Sequence, residues 1–455
     1  MTDSASRGKL AIVVGGGPAP GINGVISSVT IEAINQGLEV VGIRDGFKNL
    51  VAGLHPDDPA HLKHLTIPDV AAYYQRGGSI LGTSRTNPTK IDPKTGRDGM
   101  SNILAGFEQL GVKYLVTIGG DDTAFSGSQV YARAGGAIKV AHVPKTIDND
   151  LPLDPGIPTF GFETARHIGV ELARNIKEDA RTTGRWYFLV CMGRAAGHLA
   201  LGIGKASAAT LTVIAEELRG KTVTLDLIAD LIIGSIVKRK AQGKGYGVAV
   251  LAEGLLEAVG APALKADLGD KLSMYGTIEE DDFGHLRLGE IEFGRMIRRR
   301  VAERLEALSE AGRAKAGASA DDWKHPLKFT MIDKDLGYEL RCADPIPFDA
   351  DYTRNLGYGA VQFLLSAEAD RFGAVVTFVG EKLVPRPFED LILPETKKMR
   401  PRLVDVQSQA FECARRYMIR LDKSDFDKPD RLKKLADVVK LSPDEFRARF
   451  EYLVV

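Results

Sequence analysis

The sequence predicts an α/β protein with parallel sheets, and three observations carry the prediction. Short runs of aliphatic and β-branched residues lack polar alternation, as in strands buried on both faces. These runs alternate with helical stretches, the pattern of a parallel sheet with crossover helices. Glycine-rich polar motifs directly follow the runs, at the strand ends where open α/β sheets bind ligands.

The elements follow in order. Leu10–Val14 reads as a buried strand, Gly15–Gly21 as a turn, and the stretch from about Gly21 to Gln36 as a helix. Further strands are expected at Glu39–Ile43, Tyr114–Ile118, Ala137–Val143, Trp186–Cys191, Leu211–Ala215 and Tyr246–Ala252. Leu225–Val237 is apolar but too short to span a membrane, and Lys238, Arg239 and Lys240 follow it, so a buried helix or strand is expected. Residues 261–320 are richer in charge and small side chains and read as an insertion. From Lys397 onward, apolar residues at helical spacing between Leu403 and Leu421 predict a packed helix, with a shorter helical module after Pro429.

A chain of 455 residues is long enough for two or three domains. Boundaries are expected near 145 and 395: a first α/β domain at 1–145, a second at 146–395 whose chain crosses back to the first, and a helical extension at 396–455. Lys+Arg and Asp+Glu both total 60, which argues against a nucleic-acid or polyanion binder. The three cysteines, Cys191, Cys342 and Cys413, are scattered and form no disulfide or zinc pattern. The segment Met1–Lys9 lacks the apolar core of a signal peptide. A cytoplasmic protein is expected.

The motif richest in chemistry is Val143-Pro-Lys145-Thr146-Ile-Asp148-Asn-Asp150. In an extended segment, Asp148 and Asp150 would point the same way, with Lys145 and Thr146 beside them. A carboxylate that takes a proton from a hydroxyl, next to a cation that holds a phosphate, suits phosphoryl transfer. The alternative is an Asp-rich loop that caps a helix. Gly15-Gly16-Gly17-Pro18-Ala19-Pro20-Gly21 opens a helix after the first strand, and its N–H groups are suited to a phosphate. Pro20 stands where a dinucleotide-binding fingerprint needs its last glycine, which disfavours a nicotinamide enzyme. Gly220-Lys221-Thr222 imitates the end of a P-loop, but Ala215 replaces the required glycine.

Four further motifs complete the set. Arg85 ends the small-residue loop Gly77–Arg85 and is suited to clamp a phosphate, or else is a solvated surface arginine. Gly119-Gly120-Asp121-Asp122 offers a carboxylate for Mg²⁺, or a cap for the next helix. Met192-Gly193-Arg194 with Glu253-Gly254, and Leu336-Gly-Tyr338-Glu-Leu-Arg341, each pair glycine with polar groups.

In this order the motifs resemble the phosphofructokinase family, from Leu10 to Arg341 and more weakly to about Leu403. The resemblance implies two interleaved Rossmann-like three-layer domains with mainly parallel sheets, plus the helical C-terminal extension. It implies phosphoryl transfer to the 1-hydroxyl of fructose 6-phosphate, with Asp148 as general base and Asp121 as the Mg²⁺ carboxylate. Gly16 and Arg85 would contact the donor. Thr146, Asp150, Met192, Gly193, Arg194 and Glu253 would serve the sugar phosphate, and Tyr338 and Arg341 its 6-phosphate. Arg185 resembles an arginine donated across a subunit interface, implying a homodimer or homotetramer. Tyr338 stands where bacterial ATP-using members usually have histidine.

Asp122 and Lys145 resemble the pyrophosphate-using branch, where ATP-using members usually have glycine at the first position and many have it at the second. An aspartate there adds charge and bulk where a nucleotide α-phosphate would lie. Lys145 adds a charge-assisted contact to the small donor. The expected reaction is therefore reversible transfer from pyrophosphate. ATP as donor, sedoheptulose 7-phosphate as an additional acceptor, and a non-catalytic regulatory subunit are the alternatives.

Overall fold

The computed structural model describes residues 8–53, 58–91, 96–277, 291–393, 395 and 398–454. Its described residues form two compact units. The first takes the chain up to Ile168 and again from Tyr338 to Arg402; the second takes Gly169 to Gly337 and the chain from Leu403 onward. The chain thus leaves the first unit, returns to it and leaves again, at cuts other than the expected 145 and 395. No helix among the described residues is long and apolar enough to cross a membrane.

In the first unit, β1 (Lys9–Val14), β2 (Glu39–Ile43), β3 (Leu62–His64), β4 (Val112–Gly119) and β5 (Lys139–Pro144) join two short late strands in a seven-stranded sheet. The order is Arg386–Pro387, Ala374–Val375, β5, β4, β1, β2, β3. The interior pairs are parallel. Both edge pairs are antiparallel. Side chains along β1 alternate between two cores. Leu10, Ile12 and Val14 join the core with helix Ile22–Asn35 and Leu356, Ala360 and Leu364 of helix Pro347–Leu365. Ala11 and Val13 join Ile103 and Phe107 of helix Met100–Leu110 on the other face. Period-two alternation with apolar residues on both faces makes β1 the buried centre of a three-layer unit. The chain proceeds from β1 to β2 on one side, while β4 pairs with β1 on the other. The strand order therefore reverses between β1 and β4, and a crevice is expected there, beyond their carboxyl ends.

The second unit has a four-stranded, all-parallel sheet. Its strands are β6 (Trp186–Cys191), β7 (Leu211–Val213), β8 (Gly247–Ala252) and β9 (Met331–Leu336), in the order β7, β8, β6, β9. The apolar stretch after Leu225 is a helix, Leu225–Ala241, buried almost all round. The tail forms helices Gln409–Tyr417, Lys423–Asp427, Pro429–Val439 and Pro443–Phe450. Phe426, Leu432, Leu435, Phe446 and Phe450 share one core with Ile228, Ile232 and Ile236 of the buried helix. The helical tail is thus part of this unit's core and makes no third unit. The expected insertion contributes helices Ala261–Leu268 and Phe293–Ala316. Its residues 278–290 lie outside the described residues.

Candidate active site

The loops after β1, β4 and β5 meet at the reversal point of the first sheet. The Gly15 N–H donates to Ile118 O at 2.9 Å and the Gly16 N–H to Ser84 O at 2.9 Å. The Thr83 hydroxyl donates to Gly16 O at 2.6 Å. The loop that ends in the exposed Arg85 is thereby tied to the glycine turn. Beside it, the Lys145 N–H donates to Gly119 O at 2.8 Å. Asp121 and Asp122 fill the first turn of helix Asp121–Ala134, at its positive end.

Lys145 is the centre of this cluster. It is 4% exposed and its ammonium donates to Gly17 O. Burial, then the positive charges of Arg341 and Arg85, push its pKa down to about 8, while Asp148 and Asp121 pull it back up. The glycines are needed where these cations approach. Gly16 has φ 80°, and a Cβ there would stand 3.2 Å from Lys145 Nζ. A Cβ on Gly17 would stand 3.3 Å from the Arg341 guanidinium carbon. That guanidinium lies 4.9 Å from the centre of the Tyr338 ring, which is 66% exposed.

The acidic segment departs from its expected shape. Extended pairing ends at Lys145, which bridges to Phe160, and the chain bends at Ile147 and Asp148. Asn149 is left-handed, with φ 57°. Asp148 and Asp150 therefore do not lie at i and i+2 of one extended run. The cause is local polar chemistry. The Thr146 hydroxyl accepts from the Asp148 N–H at 3.0 Å and closes a turn. Asn149, a residue type that tolerates the left-handed region, accepts from the Thr159 N–H at 3.0 Å. The two carboxylates keep different company: Asp148 is a charge neighbour of Lys145, and Asp150 of Arg402.

In the second unit, the loops after β6, β8 and β9 are joined by main-chain bonds. The Glu253 N–H donates to Cys191 O at 2.9 Å, the Gly254 N–H to Gly193 O at 3.2 Å, and the Met192 N–H to Leu336 O at 3.2 Å. Gly193 has φ 128°, and a Cβ there would lie 2.7 Å from Ala196 O. Met192, Gly193, Arg194 and Glu253 are thus neighbours at one end of the sheet. Arg185 is not with them, because it precedes β6 and stands at the opposite end, where its carbonyl accepts from the Gly247 N–H at 3.1 Å. A six-residue strand, about 20 Å long, separates it from Met192.

Arg402 carries no sequence motif and was absent from the expected set, yet its guanidinium grips Asn149. Its distance along the chain leaves no local signal from which to read the contact. Cys191 is buried, whereas Cys342 and Cys413 are exposed, and none of the three is in a disulfide.

A glycine turn at a sheet reversal, three cations around it and carboxylates facing them are the parts of a phosphoryl-transfer protein. Residues 9–364 match the phosphofructokinase family model, and the chain belongs to that family. Over 443 residues it is 49% identical to pyrophosphate–fructose 6-phosphate 1-phosphotransferase of Thermotoga maritima, covering 97% of this chain and 98% of that protein. It is 46% identical over 452 residues to the protein of the same name from Naegleria fowleri, covering 98% and 95%. The crystal structure of a pyrophosphate-dependent phosphofructokinase from Marinobacter aquaeolei matches with a TM-score of 0.59 over 96% of this chain and 92% of that one. At 15% identity, that last match speaks to the fold alone.

Proposed function

We propose that this protein transfers a phosphoryl group reversibly from pyrophosphate to the 1-hydroxyl of fructose 6-phosphate, in the cytoplasm, as a step of glycolysis. The observation that carries this reading is the cradle around Lys145. Burial first, and then the charges of Arg341 and Arg85, lower the Lys145 pKa, so an anion placed beside Gly16 and Lys145 would be favoured there. Pyrophosphate is small, highly charged and suited to a glycine turn with cations on its rim. The names of the two relatives above agree with this donor and acceptor.

In the proposed reaction, the Asp148 carboxylate takes the proton of the sugar 1-hydroxyl. The sugar oxygen bonds to the near phosphorus of pyrophosphate, the bridging P–O bond breaks, and orthophosphate leaves. Gly16, Arg85 and Lys145 are assigned to the donor, and the Asp122 carboxylate opposes a bulkier nucleotide. Thr146 and Asp150 support the reacting groups. Met192, Gly193, Arg194 and Glu253 are assigned to the sugar, and Tyr338 and Arg341 to its 6-phosphate.

The donor set suits Mg²⁺. The described residues contain no cluster of three or more His, Cys, Asp or Glu fit for a metal. A site with Asp121 beside a phosphate cradle matches an ion that takes one or two carboxylates and fills its shell with water and phosphate oxygens. When bound there, Mg²⁺ would neutralise charge on the donor. Arg185, at the far end of its own sheet, is assigned to the sugar phosphate of a second copy in a homodimer or homotetramer. Light scattering of the purified protein checks that assembly, and a monomer active at all concentrations would remove Arg185 from the site.

The deciding experiment measures fructose 1,6-bisphosphate formed with Mg²⁺ and either pyrophosphate or ATP. Product with pyrophosphate alone is expected. Product with ATP alone would keep the family and overturn the roles given to Asp122 and Lys145.

A further inference from the structure

The acidic turn of the first unit is held by a residue far along the chain. Arg402 Nε donates to Asn149 O at 3.2 Å, Nη2 to the same oxygen at 3.1 Å and also to Asn149 Oδ1, and Nη1 to Ile157 O at 2.6 Å. The Arg402 N–H donates to Asp150 O at 2.7 Å. One side chain thus ties both limbs of the loop from Asn149 to Ile157, and its own backbone fixes the residue between. It grips Asn149 at a left-handed position, φ 57°, directly after Asp148. Acceptors that engage all three nitrogens of one side chain suit the fixed fork of a guanidinium and do not suit the point charge of an ammonium.

We infer that Arg402 is a positioning residue for the catalytic turn, fixing where the Asp148 carboxylate stands relative to Lys145. The inference rests on the role proposed above for Asp148. Arg402 touches neither substrate nor donor in this scheme. It acts through the backbone at 149 and 150, so its loss should misplace the base while the binding groups on other loops, Gly16, Arg85, Met192, Arg194 and Glu253, stay in place.

The test compares wild type with Arg402→Lys, Arg402→Met, Asn149→Gly and Asn149→Ala, by steady-state kinetics, thermal melting and amide hydrogen exchange over residues 147–151. Arg402→Lys is expected to lower kcat by about 10²-fold while KM for either substrate stays within about threefold. Exchange at 147–151 should rise locally. Asn149→Gly accepts the left-handed backbone and should keep more activity than Asn149→Ala, which does not. Unchanged kcat in Arg402→Lys would overturn the inference, as would activity lost only in proportion to unfolded protein. If wild type transfers phosphate from neither donor, the functional reading fails separately. Exchange then decides alone: unchanged protection at 147–151 in Arg402→Lys and Arg402→Met would overturn the clamp.

Discussion

The loops at the strand ends of the two units are built by partly different means. In the first unit main-chain bonds join them, and charge is added: Arg341, Arg85, Asp148 and Asp121 all act on the buried Lys145 beside a glycine turn. In the second they are organised by backbone: Met192, Gly193, Glu253 and Gly254 are registered by main-chain hydrogen bonds between strand ends. Burial and neighbouring cations work against the charged lysine and two carboxylates only partly offset them, so the first region is pH-sensitive. A main-chain scaffold carries no such cost and should tolerate changes of pH while resisting changes of backbone. Substitutions in the first region should therefore act on turnover and pH response, and those in the second on sugar affinity.

The largest expected effect is at Asp148. Asp148→Asn should lower kcat by about 10²–10⁴-fold with little change in KM, because it removes a group used in the transition state. Near-normal turnover would remove the base from the charged region. Next, Gly193→Ala places a Cβ 2.7 Å from Ala196 O at a residue with φ 128°. It should raise the KM for fructose 6-phosphate by about tenfold or more, the equivalent of 1.4 kcal/mol, and leave the KM for pyrophosphate alone. Equal changes in both constants would erase the proposed division of labour.

A smaller effect is expected from Lys145. Its folded pKa, about 8, lies below the ordinary lysine value of 10.5. The folded state binds this proton less tightly than the unfolded state, so a charged Lys145 costs stability below pH 8. Stability should rise between about pH 8 and 10.5, relative to Lys145→Met, when urea midpoints are compared without ligand. Pyrophosphate should reverse the trend by restoring the lysine pKa. A flat difference between the two proteins would mean that the cradle is not electrostatically strained.

Outside the reacting groups, the sharpest case is His142, fully buried on β5 in contact with the Thr117 hydroxyl at 2.9 Å. Burial holds its pKa near 3, against an ordinary 6.5. Its folded state excludes a proton that the unfolded state binds, so its contribution is complete above pH 6.5 and is lost as pH falls toward 3. The urea midpoint of wild type should fall more than that of His142→Gln between pH 7 and 4. Parallel curves would show that His142 is protonated in place.

The sequence by itself determined the strands and the chemistry at their ends. Runs such as Leu10–Val14 and Trp186–Cys191 are legible because burial on both faces excludes polar residues locally. Glycine turns, Asp121, Asp122 and the Lys145–Asp150 motif sit within a few residues of those runs, so residue type and spacing name their chemistry. The tertiary structure decided what depends on distant chain. It bent the acidic segment, which an alternating pattern alone would have left extended, through Thr146, Asn149 and Arg402. It placed Arg341 against Gly17, set Arg185 at the sheet end opposite Met192, and folded the tail helices into the second core. Local backbone preference and burial period are written in short windows of sequence. Which distant guanidinium satisfies a left-handed turn is settled only when the whole chain has packed.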